Sequence, residues 1–374
     1  MKAKVRIKMI GGNDKITKGQ NLSLIIASIL GVGILSLPSQ LAKSSGFNGI
    51  ISIISGTIIS ILLVTMYTKL ITRFKSKTIF EVIDEILPNP IAKIIDLLFI
   101  LHYLITGAII VRIFGDIIRM FLLRNTPLEV TILSLILAVS FITRKGIEPV
   151  ARLAQIVLPL VVIPIFILFL SLIPELDFTN IYPVFQMNTV DVLKGIKTTV
   201  FSFIGIEIVL VSTAYVKNTD KILKYNILSV IFLGIMYLVA FIVVISEFGK
   251  EQTEDLLWPT LLLMKTVDVP GAFLENVDGI IISLWTFISI QILSIVLIQS
   301  NIVLNKSFKL KEVDFLSMTL LPIMYLLALF PDNIDEVYYY IDLFSNYLGV
   351  VIILIIPLIL FVFVVITKKG DNKI

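Results

Sequence analysis

Residues 30–38 read Leu-Gly-Val-Gly-Ile-Leu-Ser-Leu-Pro and interrupt the first long apolar stretch of the chain. A second interruption, Phe-Ser-Phe-Ile-Gly-Ile-Glu at residues 201–207, lies in the sixth such stretch and includes an acidic residue. Spans one and six are equivalent positions if the chain consists of two five-helix halves, and because five is odd, the halves are then inverted relative to each other. Paired breaks in such halves indicate a binding site near the middle of a membrane.

The composition supports a membrane protein. Of 374 residues, 57% are hydrophobic and only 16% are charged, and the mean hydropathy is +1.01, whereas a soluble domain has about 25% charged residues. The chain has no cysteine and a single histidine, His102, so disulfides, thiolate metal sites and two-histidine zinc motifs are excluded. We therefore expect no catalytic residue, no metal site and no cofactor, and we do not expect an enzyme.

Ten apolar stretches have about the 20 residues that a helix needs to cross a bilayer, and only a helix satisfies its own backbone polar groups there. They lie at about 19–41, 47–71, 92–120, 127–142, 150–173, 192–215, 225–248, 279–304, 315–330 and 340–366. We therefore expect an all-α polytopic membrane protein with about ten transmembrane helices, in a five-plus-five inverted repeat with helices one and six broken. We expect one integral membrane domain over residues 1–374.

The basic residues predict the orientation. Of 31 Lys and Arg residues, 23 fall on the side of the N-terminus, seven on the opposite side, and Arg112 lies within a span. Cytoplasmic loops are enriched in Lys and Arg, so both tails, 1–18 and 367–374, are expected in the cytoplasm. The excess of Lys and Arg in these loops also accounts for the net charge of +4. We therefore expect the chain to contact a lipid bilayer and not nucleic acid.

Several motifs resemble a known family. The glycines of residues 31–38 resemble the broken first helix of the amino acid–polyamine–organocation transporter superfamily, and residues 203–207 resemble its broken sixth helix. A closer resemblance is to the spore germination permease family, the B subunits of GerA-type nutrient germinant receptors. It is carried by Thr78-Ile79-Phe80-Glu81, by Gly146-Ile147-Glu148 with Ala151-Arg152, and by Pro183.

This resemblance implies a transporter-like fold of ten helices whose ligand is an amino acid or a similar small nutrient. It also implies residence in the inner membrane of the endospore and assembly with an A subunit and a lipoprotein C subunit. Some proton-coupled relatives of the superfamily have a lysine in the middle of the fifth helix, but residues 156–173 contain no basic residue. Coupling to protons through such a lysine is therefore not expected here.

The expected ligand-binding residues lie in the two breaks: Gly31, Val32, Gly33, Ile34, Ser202, Phe203, Gly205 and Glu207. Unwound backbone at the two glycines of the first break would offer N–H groups to a ligand carboxylate, and carbonyls around 202–205 would receive its ammonium. Glu207 lies in an apolar run, where an ionisable side chain is by default a functional-site hypothesis. The alternative is a structural role, as partner of Arg112 or of a backbone group.

Other charged residues are candidates for coupling or gating. Arg112 and Asp116 are four residues apart and can form a local ion pair near the interface, and Glu148 and Arg152 have the same spacing at the inner end of helix five. His102 we interpret as a packed residue outside the site.

The sequence thus predicts a germination protein, the membrane subunit of a nutrient receptor that binds an amino acid and signals to partner subunits. The alternatives are a secondary amino acid transporter (permease), or an ion or water conduit opened during germination.

Overall fold

The computed structural model describes residues 15–75, 77–182, 188–266, 277–308 and 314–370. The α-helices of these residues are, in chain order, α1 (Lys18–Ile29), α2 (Val32–Ser45), α3 (Gly49–Arg73), α4 (Ile79–Ile86), α5 (Asn89–Phe121), α6 (Leu128–Thr143), α7 (Ile147–Leu172), α8 (Thr189–Ser202), α9 (Val209–Ser212), α10 (Ile222–Asp255), α11 (Pro259–Thr266), α12 (Val277–Phe308), α13 (Asp314–Leu329), α14 (Ile334–Phe344) and α15 (Ile356–Thr367). Pro183 lies outside the described residues, as do residues 1–14 and 371–374 of the two predicted tails.

The prediction of an all-α protein is confirmed. In the described ranges, β-structure is limited to an isolated bridge between Ile16 and Val216. Six helical stretches in these ranges are long and apolar enough to cross a membrane, or seven if α8 and the bent segment after it form one span. The count of ten spans, the inverted repeat and the single domain stay predictions.

Apolar side chains cover the outside of the helices. On α3, Ile54, Ile58 and Leu62 recur at a spacing of four residues and are 49%, 53% and 64% exposed, so they form one continuous face. A face of this kind is unfavourable in water and suits hydrocarbon. The long apolar helices and their exposed apolar faces together identify a multi-pass membrane protein.

The first break separates α1 from α2. A capping box starts α1, since the Thr17 side chain accepts the Gln20 N–H and the Gln20 side chain accepts the Thr17 N–H. Gly31, at φ −152° and ψ −120°, lies outside the helical region, and α2 begins one residue later. Pro38 has no N–H for the carbonyl of Ile34, and the hydroxyl of Thr260 on α11 donates to that carbonyl instead, at 2.7 Å.

The second break follows α8, where the chain bends by 48° before a short 3₁₀ turn and α9. Gly205 has φ +106°, a conformation that glycine adopts readily and that strains other residues. A Cβ atom on Gly205 would also overlap the carbonyl oxygen of Ser28 in α1. Glycine is therefore required here both by backbone conformation and by the close approach of the first break.

An ion-pair cluster joins α4, α5 and α12 at their predicted cytoplasmic ends. The Lys306 ammonium lies 2.7 Å from Asp96 and 2.8 Å from Asp84, and the Ser307 hydroxyl donates to Asp96 at 2.7 Å. Asp96 is only 2% exposed. A carboxylate this deeply buried needs a cationic partner, and Lys306 provides it.

A second polar contact set on the same side is centred on Asn226 of α10. Asn226 accepts a hydrogen bond from the Asn21 side chain of α1 at 2.8 Å and donates to the Thr68 hydroxyl of α3 at 2.9 Å. Nearby, the Ile16 N–H donates to the Tyr215 carbonyl at 2.9 Å. Side-chain hydrogen bonds thus hold the predicted cytoplasmic ends of α1, α3 and α10 together.

Candidate functional site

The two helix breaks contact each other. The Ser28 hydroxyl lies 2.8 Å from the Ile25 carbonyl of its own helix and 3.1 Å from the Gly205 carbonyl of the second break. Side-chain atoms of one break thus satisfy backbone groups of the other. Residues 177 positions apart in the chain meet at one point, as expected of paired breaks.

Tyr237 of α10 joins the same two breaks from a third side. Its hydroxyl donates to the Ser202 carbonyl at 2.7 Å and lies 3.4 Å from the Ile29 carbonyl, and its ring packs edge-on against Phe203. A Cβ atom on Gly33 would lie 2.7 Å from that hydroxyl and 3.0 Å from the Ser202 carbonyl oxygen. Because Gly33 has no side chain, the Tyr237 hydroxyl and the Ser202 carbonyl can lie this close to its backbone.

A cavity of about 710 Å³ begins at the breaks. Its inner end includes Gly31, Gly33 and Glu207, and its walls come from α5, α8, α12 and α14. It extends to Lys194, at the predicted outer end of its span, and to Asp335, in the predicted outer loop between the last two spans. This volume is within the range of roughly 300–1,000 Å³ that is typical of small-molecule sites.

The N-terminus of α2 faces this cavity. The first N–H groups of a helix have no partner within the helix, and Gly31 at the N-cap has no side chain to bind them. Gly31, Val32 and Gly33 all line the cavity. Uncapped N–H groups and the positive end of a helix dipole favour an anionic group at this position.

The carbonyls of the second break are already hydrogen-bonded. Ser202 accepts from Tyr237, Phe203 accepts from the Ile206 N–H at 3.1 Å, and Gly205 accepts from the Ile208 N–H at 3.1 Å. The Gly205 carbonyl also has the Ser28 hydroxyl beside it, so an ammonium would have to use the second lone pairs of the Ser202 and Phe203 carbonyls. The carboxyl group of Glu207 is the stronger acceptor for a cation at this end of the cavity.

Glu207 is held in place on both carboxylate oxygens. One accepts the Gly205 N–H at 2.9 Å and the other lies 3.1 Å from Nε2 of His102. The backbone contact is one of the structural roles expected for Glu207, whereas the expected alternative of a pair with Arg112 does not occur. Glu207 is 2% exposed and His102 is fully buried, so the two groups form a pair inside the bundle.

His102 is a buried, packed residue, as interpreted from the sequence, and it does not line the cavity, but its contact with Glu207 was not predicted. His102 lies on α5, directly beside Glu207, and its ring stacks on Phe344 with 5.2 Å between the centroids. Thr106, one turn further along α5, was also missed. It lines the cavity, is 9% exposed, and its hydroxyl has no hydrogen-bond partner in the described part of the chain.

The three predicted coupling or gating residues lie away from the cavity. Arg112 pairs with Asp116 at 2.9 Å, the expected local ion pair, and it also donates to the Ala328 and Pro331 carbonyls at the end of α13. Glu148 and Arg152 form an ion pair at 2.6 Å at the start of α7. These contacts fix the ends of the helices. The coupling or gating roles of Arg112, Glu148 and Arg152 stay predictions.

Solved structures share this fold. The structure of MhsT in complex with L-phenylalanine superimposes with a TM-score of 0.72 at 14% identity, over 95% of this chain and 90% of that one. A substrate-bound, outward-open, Na⁺-coupled sialic acid symporter gives a TM-score of 0.66 at 14% identity, over 93% and 79% of the two chains. The fold is thus that of transporters of small molecules.

Spore germination proteins are among the relatives of known sequence. Spore germination protein YndE of Bacillus subtilis (strain 168) is 26% identical over 97% of this chain and 100% of its own length. Spore germination protein A2 of the same organism is 26% identical over 96% and 98%. The profile of the spore permease family, described as spore germination protein, matches residues 15–337. The chain therefore belongs to the spore germination protein family, as its sequence motifs predicted.

Proposed function

We propose that this chain is the membrane subunit of a nutrient germinant receptor and that it binds an amino acid at the two helix breaks. The observation that carries the proposal is the pairing of opposite polarities at the base of one cavity. The uncapped N-terminus of α2 favours an anion, and the buried carboxylate of Glu207 favours a cation. An α-amino acid carries both charges, on an ammonium and a carboxylate that are bonded to the same carbon atom.

In this pose the ligand carboxylate lies against the N–H groups of Gly31, Val32 and Gly33, and its ammonium points toward Glu207. The side chain extends between α5 and α12, where Ile109, Ile295 and neighbouring apolar residues line the cavity. Such walls favour an apolar side chain. The free hydroxyl of Thr106 is close enough to the same space to receive a polar group of the ligand.

Binding drives signalling through a difference in ligand affinity between two arrangements of the helices. The broken helices are the elements best placed to move, because their backbone hydrogen bonding is already interrupted. The proposed recipients of the signal are an A subunit and a lipoprotein C subunit in the inner membrane of the endospore, with both termini of this chain in the cytoplasm.

The test uses spores in which this chain and its partner subunits form the sole nutrient receptor. Each of the common L-amino acids is supplied separately, and germination is followed by loss of optical density. The proposal predicts a saturable response to at least one of them. Spores that contain the assembled complex and respond to none of these amino acids would contradict the proposal.

A second candidate is a secondary amino acid transporter, favoured by the similarity of the fold to a structure with bound L-phenylalanine. Proteoliposomes that contain the purified chain separate the two functions. A receptor binds labelled L-phenylalanine or L-leucine without accumulation, whereas a transporter accumulates it in response to an ion gradient. Saturable, gradient-driven uptake would favour transport.

A further inference from the structure

Five basic side chains from opposite ends of the sequence lie at the predicted cytoplasmic surface. Three belong to the end of α3 and the turn after it, and two follow directly after α15. These five residues form the basic cluster: Lys69, Arg73, Lys75, Lys368 and Lys369. None of them lines the cavity at the helix breaks, so the basic cluster is separate from the proposed amino acid site.

Packing brings the ends of α3 and α15 together. The Tyr67 hydroxyl of α3 donates to the Ile353 carbonyl, which lies just before α15. At the ends of the two helices, a Cβ atom on Gly370 would lie 3.3 Å from the Cβ atom of Arg73. Gly370 therefore packs closely against Arg73, and Lys369 is the residue next to this contact.

The charge of the basic cluster is not balanced by acidic side chains of the described residues. In these ranges none of the five cations forms an ion pair, whereas three other cations on the same side do, in Lys77–Glu85, Arg152–Glu148 and Lys306–Asp96. Residues 371–374 contain one acidic and one basic residue and so add no net side-chain charge. Neighbouring like charges repel each other, and an anion bound between them is stabilising.

Topology explains why these residues lie on this side but not why they meet. Lys and Arg are enriched in all cytoplasmic loops, and a second group of three exposed lysines precedes and begins α10, at Lys217, Lys221 and Lys224. That group lies within one short stretch of the sequence. The basic cluster differs because two helices from opposite ends of the sequence converge on it.

Exposed apolar side chains lead to the basic cluster on both helices. Lys69 and Arg73 are seven and eleven residues beyond Leu62 and so continue the exposed apolar face of α3. After α15, the Lys369 ammonium lies 5.5 Å from the centroid of the Phe363 ring, and Phe363 is itself 37% exposed. Cations at the ends of exposed apolar faces suit a molecule with an anionic head and apolar chains.

We propose that the basic cluster binds the headgroup of an anionic phospholipid of the cytoplasmic leaflet. Its phosphate accepts hydrogen bonds from the Arg73 guanidinium, which suits two oxygens of one phosphate, and from the neighbouring ammonium groups. The acyl chains lie along the exposed apolar faces of α3 and α15. Basic groups at the cytoplasmic ends of membrane helices are typical of anionic lipid sites. A lipid bound here joins the ends of the two helices.

The test measures lipid binding by the purified full chain. Native mass spectrometry counts the lipids retained from an equimolar mixture of dioleoylphosphatidylglycerol, which is anionic, and dioleoylphosphatidylcholine, which has the same acyl chains and no net charge. We expect a preference of about tenfold or more for the anionic lipid, since each Lys or Arg near its headgroup contributes several-fold. Equal retention of the two lipids would overturn the proposal.

Two triple variants separate a site from general attraction to a basic surface. Removal of three charges from the basic cluster should lower the preference to about twofold or less, in Lys69→Gln, Arg73→Gln, Lys369→Gln. The matched control removes the same number of charges from the same side and should keep the preference, in Lys217→Gln, Lys221→Gln, Lys224→Gln. An equal loss in both variants would overturn a specific site.

The double variant Lys69→Gln, Lys369→Gln keeps Arg73 and its packing against Gly370, and it retains the test if the triple variant does not fold. We expect an intermediate preference, and the full preference of the original protein would contradict the proposal.

A final arm adds glycerol 3-phosphate at millimolar concentration, which offers a phosphate without acyl chains. We expect the anionic lipid to stay bound. Its displacement would make a soluble phosphate the ligand and overturn the lipid site.

Discussion

The helix breaks and the inner ion-pair cluster are both polar regions inside an apolar bundle, but their charges are balanced differently. Lys306 lies between Asp84 and Asp96, and the cluster thereby joins three helices. At the breaks, His102 is the only potential cation within ion-pair distance of the buried Glu207 carboxylate in the described part of the chain, the N-terminus of α2 has no side-chain cap, and a cavity adjoins both Glu207 and this N-terminus. A buried carboxylate with a lysine beside it marks a region that holds structure, whereas a buried carboxylate without a lysine or arginine partner, next to a cavity, marks the region that we propose as the ligand site.

This difference predicts that removing a charge from the inner cluster damages the protein itself. In Lys306→Met, Asp96 keeps its charge in a buried position without its cation. We expect a loss of about 3–5 kcal/mol, seen as a lower thermal unfolding midpoint of the purified protein and less of the subunit in membranes.

The double variant Lys306→Met, Asp96→Asn is the control, since it removes the unpaired charge and leaves an acceptor for the Ser307 hydroxyl. Most of the lost stability should return. If Lys306→Met is as stable as the original protein, the ion-pair cluster does not contribute to stability.

At the breaks, the same kind of change should remove response and leave the protein intact. Glu207→Gln keeps the shape and an oxygen for the Gly205 N–H but loses the charge. We expect the subunit at a normal level and a half-maximal amino acid concentration about a hundredfold higher, corresponding to about 2.7 kcal/mol. Unchanged nutrient dependence at a normal subunit level would make Glu207 a structural residue.

A steric change at the first break should have a graded effect. In Gly33→Ala, the new Cβ atom approaches the Tyr237 hydroxyl and the Ser202 carbonyl, and we expect the half-maximal concentration to rise about tenfold, or about 1.4 kcal/mol. Gly33→Val should abolish the response. Gly279→Ala is the matched control, because a Cβ atom there meets no described atom within 4 Å. A dose–response curve of Gly33→Val that matches that of Gly279→Ala would leave Gly33 as a packing residue.

The smallest effect is expected at the exposed pair of α7. The side chain of Arg152 is 67% exposed, and an i, i+4 ion pair of this kind contributes about 0.5 kcal/mol or less. Glu148→Gln should therefore change thermal stability very little. A large loss of germination in this variant, with the subunit at its normal level, would instead support the coupling role that the sequence suggested.

The sequence predicted the breaks because their signal is local. Gly31, Gly33 and Gly205 interrupt apolar runs, and Glu207 is conspicuous within one, so each can be recognised without knowledge of its neighbours. The all-α fold could be predicted for the same reason, since the length of an apolar run decides whether a helix can span a bilayer. The family could be recognised from short motifs.

Contacts between distant helices could not be predicted in this way. His102 lies 105 residues from Glu207, and the rotation of α5 about its axis decides whether that ring faces a carboxylate or a packed neighbour. The sequence of the long third span does not show which residue of another helix the His102 ring faces. Thr106 was missed for the same reason, and the roles of Lys306 and Tyr237 were hidden because their partners lie on other helices.

The central claim is that the cavity at the breaks is the amino acid site, and the absence of cysteine from the chain allows a direct test. A single cysteine in place of Thr106 reports access to the cavity, and one in place of Ser171, which is exposed on α7, serves as the control. Both are labelled with a membrane-impermeant methanethiosulfonate reagent, with and without an amino acid that triggers germination. We expect the amino acid to slow labelling of Thr106→Cys and to leave the labelling rate of Ser171→Cys unchanged. Equal labelling rates at Thr106→Cys, in a complex that still germinates in response to that amino acid, would contradict the central claim.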